Sequence, residues 1–431
     1  MKDREHLCLL SALSPSHAGP FDFVSTDHYY WSKVELEEIA RKMAAEVVMI
    51  LGQGHKFAAT KKVVKESLML SKGGGCEFDA WMEEYLGRPK LHTWPLKFED
   101  NYFDTAVIIG HKARGANVVL RRVEGFNPDQ NCWESLVMDS EDGGEKRMNS
   151  TTYYGSERGD PFFCWERPYR YFGDWMRHSC PPLALWEDNI FIEQFYRVVD
   201  SNRCTPLDDD DLSGLLTCIS YGGIEKTHIG GYQQFLAGTR AQSTNTAVAI
   251  AAGARGQDLW PALALDFGAW MATRPDLWPA EPWTSSQYII ELRIETATRS
   301  IFHAFPVEVL VQILPLLSLP DLLSVLLLSR GVSGLVSPLL DETLWYNVHH
   351  GDLRWILPVA RVNGEVDRAN KAAMGWYSNP AKLTSVFDSR DFPFSRFISE
   401  CLRTNSMRNR QRLWKIYKQY KKLWETMGFE I

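Results

Sequence analysis

No pair of cysteines in this sequence has C-x-x-C spacing. The eight thiols, Cys8, Cys76, Cys132, Cys164, Cys180, Cys204, Cys218 and Cys401, stand singly. That scatter excludes the dense disulfide framework of small secreted domains and points to reduced thiols inside a cell, in cytoplasm or nucleus. Uninterrupted apolar runs of membrane-spanning length are also missing. Leu310 to Ser329 comes nearest, but Pro315, Pro320 and Asp321 break it, and two short buried helices explain its leucines better. The apolar stretch Leu7 to Leu13 is interrupted by Ser11 and lies at the lower limit for a signal sequence, so a soluble, non-secreted chain is expected.

The usual catalytic signatures are missing too. There is no G-x-x-x-x-G-K-[ST] phosphate cradle and no H-E-x-x-H. Gly52-Gln53-Gly54 starts like a dinucleotide loop, but Lys56 and Phe57 follow where a third glycine belongs. Ser156 directly follows Gly155, so no G-x-S-x-G elbow forms. His349 and His350 are adjacent, which on a helix aims them about 100° apart and away from a shared metal. Asp208 to Asp211 lacks the spaced ligands, central glycine and closing glutamate of a calcium loop, and reads as a solvated helix start. No catalytic residue, metal or organic cofactor is expected. No internal repeat is visible, so propellers and leucine-rich solenoids have no support.

What is present describes a folded protein. Among 431 residues, 45% are hydrophobic and 12% aromatic, with 16 tryptophans, which suits two or three domains with substantial cores. A formal net charge of -7 argues against a coat for nucleic acid, and no nucleic-acid or membrane partner is expected.

Along the chain, residues 1–25 read as a loose lead-in and 26–205 as an α+β region. Within Tyr29 to Leu51, Leu36, Ile39, Met43, Val47 and Ile50 recur at helical spacing, opposite Glu35, Glu38, Arg41 and Lys42. Trp81 to Leu86 is a second short amphipathic piece. Thr105 to Ile109 and Asn117 to Val123 are β-rich and separated by turn-forming residues, as in a hairpin. Ser140 to Gly159 is polar and glycine-rich and reads as a surface loop. Residues 206–298 form a mixed, loop-rich connection, 299–350 a three-helix module, and 351–431 a helical carboxyl-terminal region. The fold class expected is therefore mainly α, with a smaller α+β N-terminal part.

The module carries the clearest signals. Pro306 is preset for a first helical turn and Glu308 complements the helix dipole. Val309, Leu310, Ile313, Leu314 and Leu317 follow as one apolar face, and Pro315 should end this helix early. Ser318-Leu319-Pro320-Asp321 opens a second helix, apolar nearly all round from Leu322 to Leu328, which must lie against another surface. A third element leads to Leu344-Trp345.

The pattern F-P-x-E-V-L-x-x-I-L-x-x-L-x-L-P-D-L-L-x-x-x-x-x-S-R over 305–330, with Leu344-Trp345 beyond it, resembles the F-box family. Phe305 stands where that family usually has leucine. Asn131-Cys132-Trp133-Glu134-Ser135-Leu136, Arg354-Trp355-Ile356 and Asn409-Arg410-Gln411-Arg412-Leu413-Trp414 are similar to elements of large F-box proteins of filamentous fungi. The resemblance implies a non-catalytic substrate receptor of an SCF-type ubiquitin ligase. Phe305, Pro306, Leu310, Ile313, Leu317 and Leu322 would face the Skp adaptor, which links to a cullin scaffold, and Trp345 would pack the module. An unknown protein would be the substrate. The alternative readings are that these side chains are the core of their own domain, and that the chain is a scaffold or regulator or, less favoured, an enzyme with a site in 26–298.

Near the carboxyl terminus Leu413, Ile416, Tyr417, Tyr420, Leu423, Trp424 and Met427 form an apolar stripe. Arg410, Arg412, Lys415, Lys418, Lys421 and Lys422 occupy the remaining surface. Such a helix either docks on a core with a solvated basic face, the preferred reading, or binds an anionic partner.

Overall fold

The structure, a computed structural model of the chain, describes residues 8–12, 33–52, 54–70, 105–112, 117–127, 130, 132–140, 144–155, 157–180, 183, 186–203, 215–221, 243–259, 262–263, 278–279, 305–317, 319–328, 332, 336–362, 364–376, 386–403 and 405–428. It is mainly helical with one small antiparallel sheet. The chain divides into two compact units, the first Met1–Arg274 with Arg412–Ile431 and the second Pro275–Gln411.

In the first unit, helices α1 (Lys33–Leu51) and α2 (Phe57–Leu70) pack on each other and bury Ile39, Met43, Val47, Val64 and Leu68. Of the stripe read from the sequence, Ile39, Met43 and Val47 are buried and Ile50 is half-buried. A sheet follows, with strands β1 (Ala106–His111), β2 (Val118–Asn127), β3 (Cys132–Asp139), β4 (Glu145–Tyr153) and β5 (Phe162–Trp165) in the order β4-β3-β2-β1-β5. Ala106 pairs with Val123 and His111 with Val118, so the two β-rich runs do form an antiparallel pair. Strand β1 lies between two partners and is buried through Ala106, Val107, Ile108 and Ile109, which accounts for its continuous apolar run. Gly110 is needed beside β5, because a Cβ there would stand 2.5 Å from the Cβ of Pro161.

Much of Ser140 to Gly159, expected to be a loop, is strand β4. The strand lies at a sheet margin and is exposed along most of both faces, so it lacks the apolar alternation that identifies half-buried strands.

Helices α3 (Glu166–Ser179) and α4 (Asp188–Asn202) bring aromatic side chains to a shared core. Phe162 of β5 meets Phe195, with ring centroids 5.5 Å apart, and Phe172 meets Phe195 at 4.6 Å. The last helix, α11 (Asn405–Thr426), contributes its residues from Arg412 onward to this unit. Trp414 packs on Trp175, Tyr420 on Phe172 and Phe195, and Trp424 on Phe191. A short helix α5 (Thr244–Ala251) packs on α1. In this cluster each large ring removes more apolar surface from water than an aliphatic side chain.

The second unit contains α6 (Val307–Ile313), α7 (Leu319–Leu327), α8 (Leu340–His350), α9 (Glu365–Met374), α10 (Phe394–Arg403) and the start of α11. One core gathers Trp355, Ile356, Phe387, Phe392, Phe397 and Cys401. Arg410 is fully buried beside Glu365, donates also to the carbonyls of Trp355 and Leu357, and lies 5.0 Å from the ring centre of Trp278. The Arg354-Trp355-Ile356 and Asn409-to-Trp414 segments, singled out separately in the sequence, are therefore tied together through Arg410. Trp81 to Leu86 and Asp208 to Asp211 lie outside the described residues.

Candidate docking surface

Pro306 has φ -58° and ψ 150° and precedes the helix instead of opening it. Its carbonyl accepts the amide of Leu310 at 3.2 Å, and α6 begins at Val307. Pro315 then converts the helix end to a tight 3-10 turn over Leu314–Leu316. Asn347 of α8 reaches that turn, donating to the Pro315 carbonyl at 3.3 Å and to the Thr343 carbonyl at 3.1 Å. The break that proline imposes is thus held by a buried side-chain amide.

These helices divide their leucines between two environments. Leu310, Leu314, Leu322, Val332, Val336, Leu344 and Val348 are buried, which makes Leu310 and Leu322 part of their own unit's core. Phe305 and Pro306 are exposed, and Ile313 and Leu317 are half-buried. Outside the core set, Phe305, Val307, Leu316, Leu323, Leu327 and Leu328 all remain open to solvent, Leu316 to 77% and Leu328 to 58%. Six such side chains fall within one short stretch of chain, a concentration that singly scattered exposed leucines do not give. Helical spacing alone could not tell these from the core leucines, because α7 is apolar on nearly every side.

Trp345 is half-buried. The Arg390 guanidinium lies 4.9 Å from its ring centre, the His349 ring meets it at a tilt with centroids 4.7 Å apart, and its indole N–H has no hydrogen-bond partner among the described residues. The ring is a covered shelf at the module's border. His349 uses a ring nitrogen on the Phe387 carbonyl at 3.0 Å.

Other features offer less chemistry. Arg122 binds Asp139 at 3.1 Å and Glu145 at 2.8 Å, clamping strands β2, β3 and β4. Among the described residues no group of three His, Cys, Asp or Glu is placed to hold a metal ion, and no helix is long and apolar enough to cross a membrane. A cavity lined by Leu10, Phe172, Trp175, Leu413 and Tyr417 has room for about 10 Å³, the size of a single water. No protein-family model, no curated protein and no solved structure matches this chain.

Proposed function

We propose that the chain is a non-catalytic docking protein that presents α6, α7 and the turn between them to the Skp adaptor of a ubiquitin ligase. The observation that carries the reading is the apolar surface of Phe305, Val307, Leu316, Leu323, Leu327 and Leu328, which falls inside the F-box-like sequence pattern. Apolar anchors of this kind concentrate interface energy in a few side chains. Exposed apolar side chains on short helices suit a helical protein partner, whereas a small substrate needs a concave pocket.

The test is copurification of the full chain with Skp adaptor and cullin scaffold, comparing the parent with a Leu316→Glu, Leu323→Glu, Leu327→Glu variant. These positions are solvent-facing, so the variant should keep the parent circular dichroism spectrum and lose the adaptor. Failure of the parent to retain adaptor, or retention by the folded variant, removes this reading. Proteasome-dependent turnover of a copurifying protein then separates a substrate receptor from a scaffold.

A further inference from the structure

Residues 8–12 of the first unit form a turn against the free margin of β5. The Leu9 amide donates to the Phe163 carbonyl at 3.4 Å, and the Trp165 amide donates to the sulfur of Cys8 at 3.3 Å. This places Cys8 beside Cys164, the residue between those two partners on the strand. Both side chains are fully buried. The turn is held from its other side as well: Tyr420 donates to the Leu9 carbonyl at 2.9 Å, Arg412 to the Ser11 carbonyl at 2.9 Å, and the hydroxyls of Tyr221 and Tyr420 meet at 2.9 Å. Ala12 closes it with φ 59°, a conformation that L residues seldom adopt.

We propose that Cys8 and Cys164 are a redox pair that closes to a disulfide on exposure to a hydroperoxide, fastening the amino-terminal turn to the sheet. The two sulfurs have different characters. Burial pushes the Cys8 thiol up, but the hydrogen bonds of Cys164 and of the Trp165 amide outweigh it and bring it down to about 7, whereas burial and its donation to Cys8 push Cys164 well above 9.0. Cys8 is therefore the attacking sulfur and Cys164 the resolving one. Cys8 thiolate attacks the peroxide, forming an S–O bond and breaking O–O, and the released hydroxide takes up a proton as water. The Cys164 sulfur then attacks Cys8, forming S–S and expelling the sulfenic oxygen, which leaves as a second water with the Cys164 proton. Two thiols lose two electrons and one hydrogen peroxide becomes two waters. Access requires the 8–12 turn to open, which breaks the hydrogen bonds of Leu9, Cys8 and Ser11 to Phe163, Trp165, Tyr420 and Arg412.

The proposal is independent of adaptor binding and is tested on the full chain. Reduced protein is treated with equimolar hydrogen peroxide, quenched with N-ethylmaleimide, and digested without reductant. The expected result is a peptide pair joined through Cys8 and Cys164 and released by dithiothreitol. The thermal midpoint of the oxidised protein should rise by about 5 °C or more, since the bond closes a long loop. Cys132→Ser should keep the cross-link and Cys164→Ser should lose it. Recovery of Cys8 and Cys164 from the peroxide-treated parent as separate maleimide adducts, or a disulfide joining either one to a different cysteine, overturns the proposal, and this readout does not depend on any variant folding.

Discussion

A buried charge is stable only while its partners are present, and Arg410 shows how complete that set can be. Its guanidinium meets the Glu365 carboxylate, with both side chains at 0% exposure, and two backbone carbonyls. Removing the arginine leaves a carboxylate stranded away from water, so Arg410→Met should destabilise the second unit by about 3–5 kcal/mol. Urea unfolding followed by tryptophan fluorescence would measure it, and a change under about 1 kcal/mol would show that Glu365 finds solvent. Nothing local in the sequence marked this residue as internal. Arg410 sat among Arg412, Lys415 and Lys418 on what read as a basic face, and its partner Glu365 is distant along the chain. Only tertiary contact distinguishes it from Lys415 and Lys418, which are exposed. Trp345 illustrates a smaller displacement of the same kind: an aromatic at the end of an aliphatic module reads as core, but here it is half-covered by an arginine.

Some elements with a buried stripe were legible, whereas α3 and α4, whose buried faces are largely aromatic, were not read from the sequence. Helix α11 buries Leu413, Ile416, Tyr417, Tyr420 and Trp424 as their spacing required, and the β1–β2 pairing followed from two apolar runs around a turn. Strand β4 was missed because its residues meet solvent on both faces. Charge adds a smaller contribution to the apolar contact between α1 and α2. Hydrogen bonds from Lys61 and then Lys65 lower the Glu37 carboxyl from its ordinary 4.5 to about 2. A depressed carboxyl stabilises the fold above its unfolded value, and that contribution is lost as pH falls from about 4.5 towards 2. The group is exposed, so salt screens the effect and its energetic weight is small. An NMR titration should find the Glu37 carboxyl midpoint near 2 and shift it back towards 4.5 in a Lys61→Gln, Lys65→Gln variant. A midpoint near 4.5 in the parent would mean that the lysines do not hold this carboxylate.

For the molecule as a whole, the leucines that specify the second unit and those that it offers outward come from the same few turns of helix. The sequence identified the stretch but not the division, since Leu310 and Leu316 have the same chemistry and only the completed packing separates them. Leu310 is fully buried, so Leu310→Ala removes packed methyl groups from a core that cannot fully collapse, and it should cost about 2–5 kcal/mol. Leu316 is 77% exposed, and Leu316→Ala should stay within about 0.5 kcal/mol of the parent. Adaptor binding should respond in the opposite order. In conditions where both proteins are fully folded, the proposed docking surface predicts that Leu316→Ala weakens copurification and that Leu310→Ala, whose side chain is fully buried, retains it. Stability from chemical denaturation and affinity from calorimetry, measured on the same two variants, decide the matter. A Leu316→Ala protein that binds adaptor like the parent, beside a folded Leu310→Ala protein that does not, would move the recognition surface away from the exposed leucines and onto the face carrying Leu310.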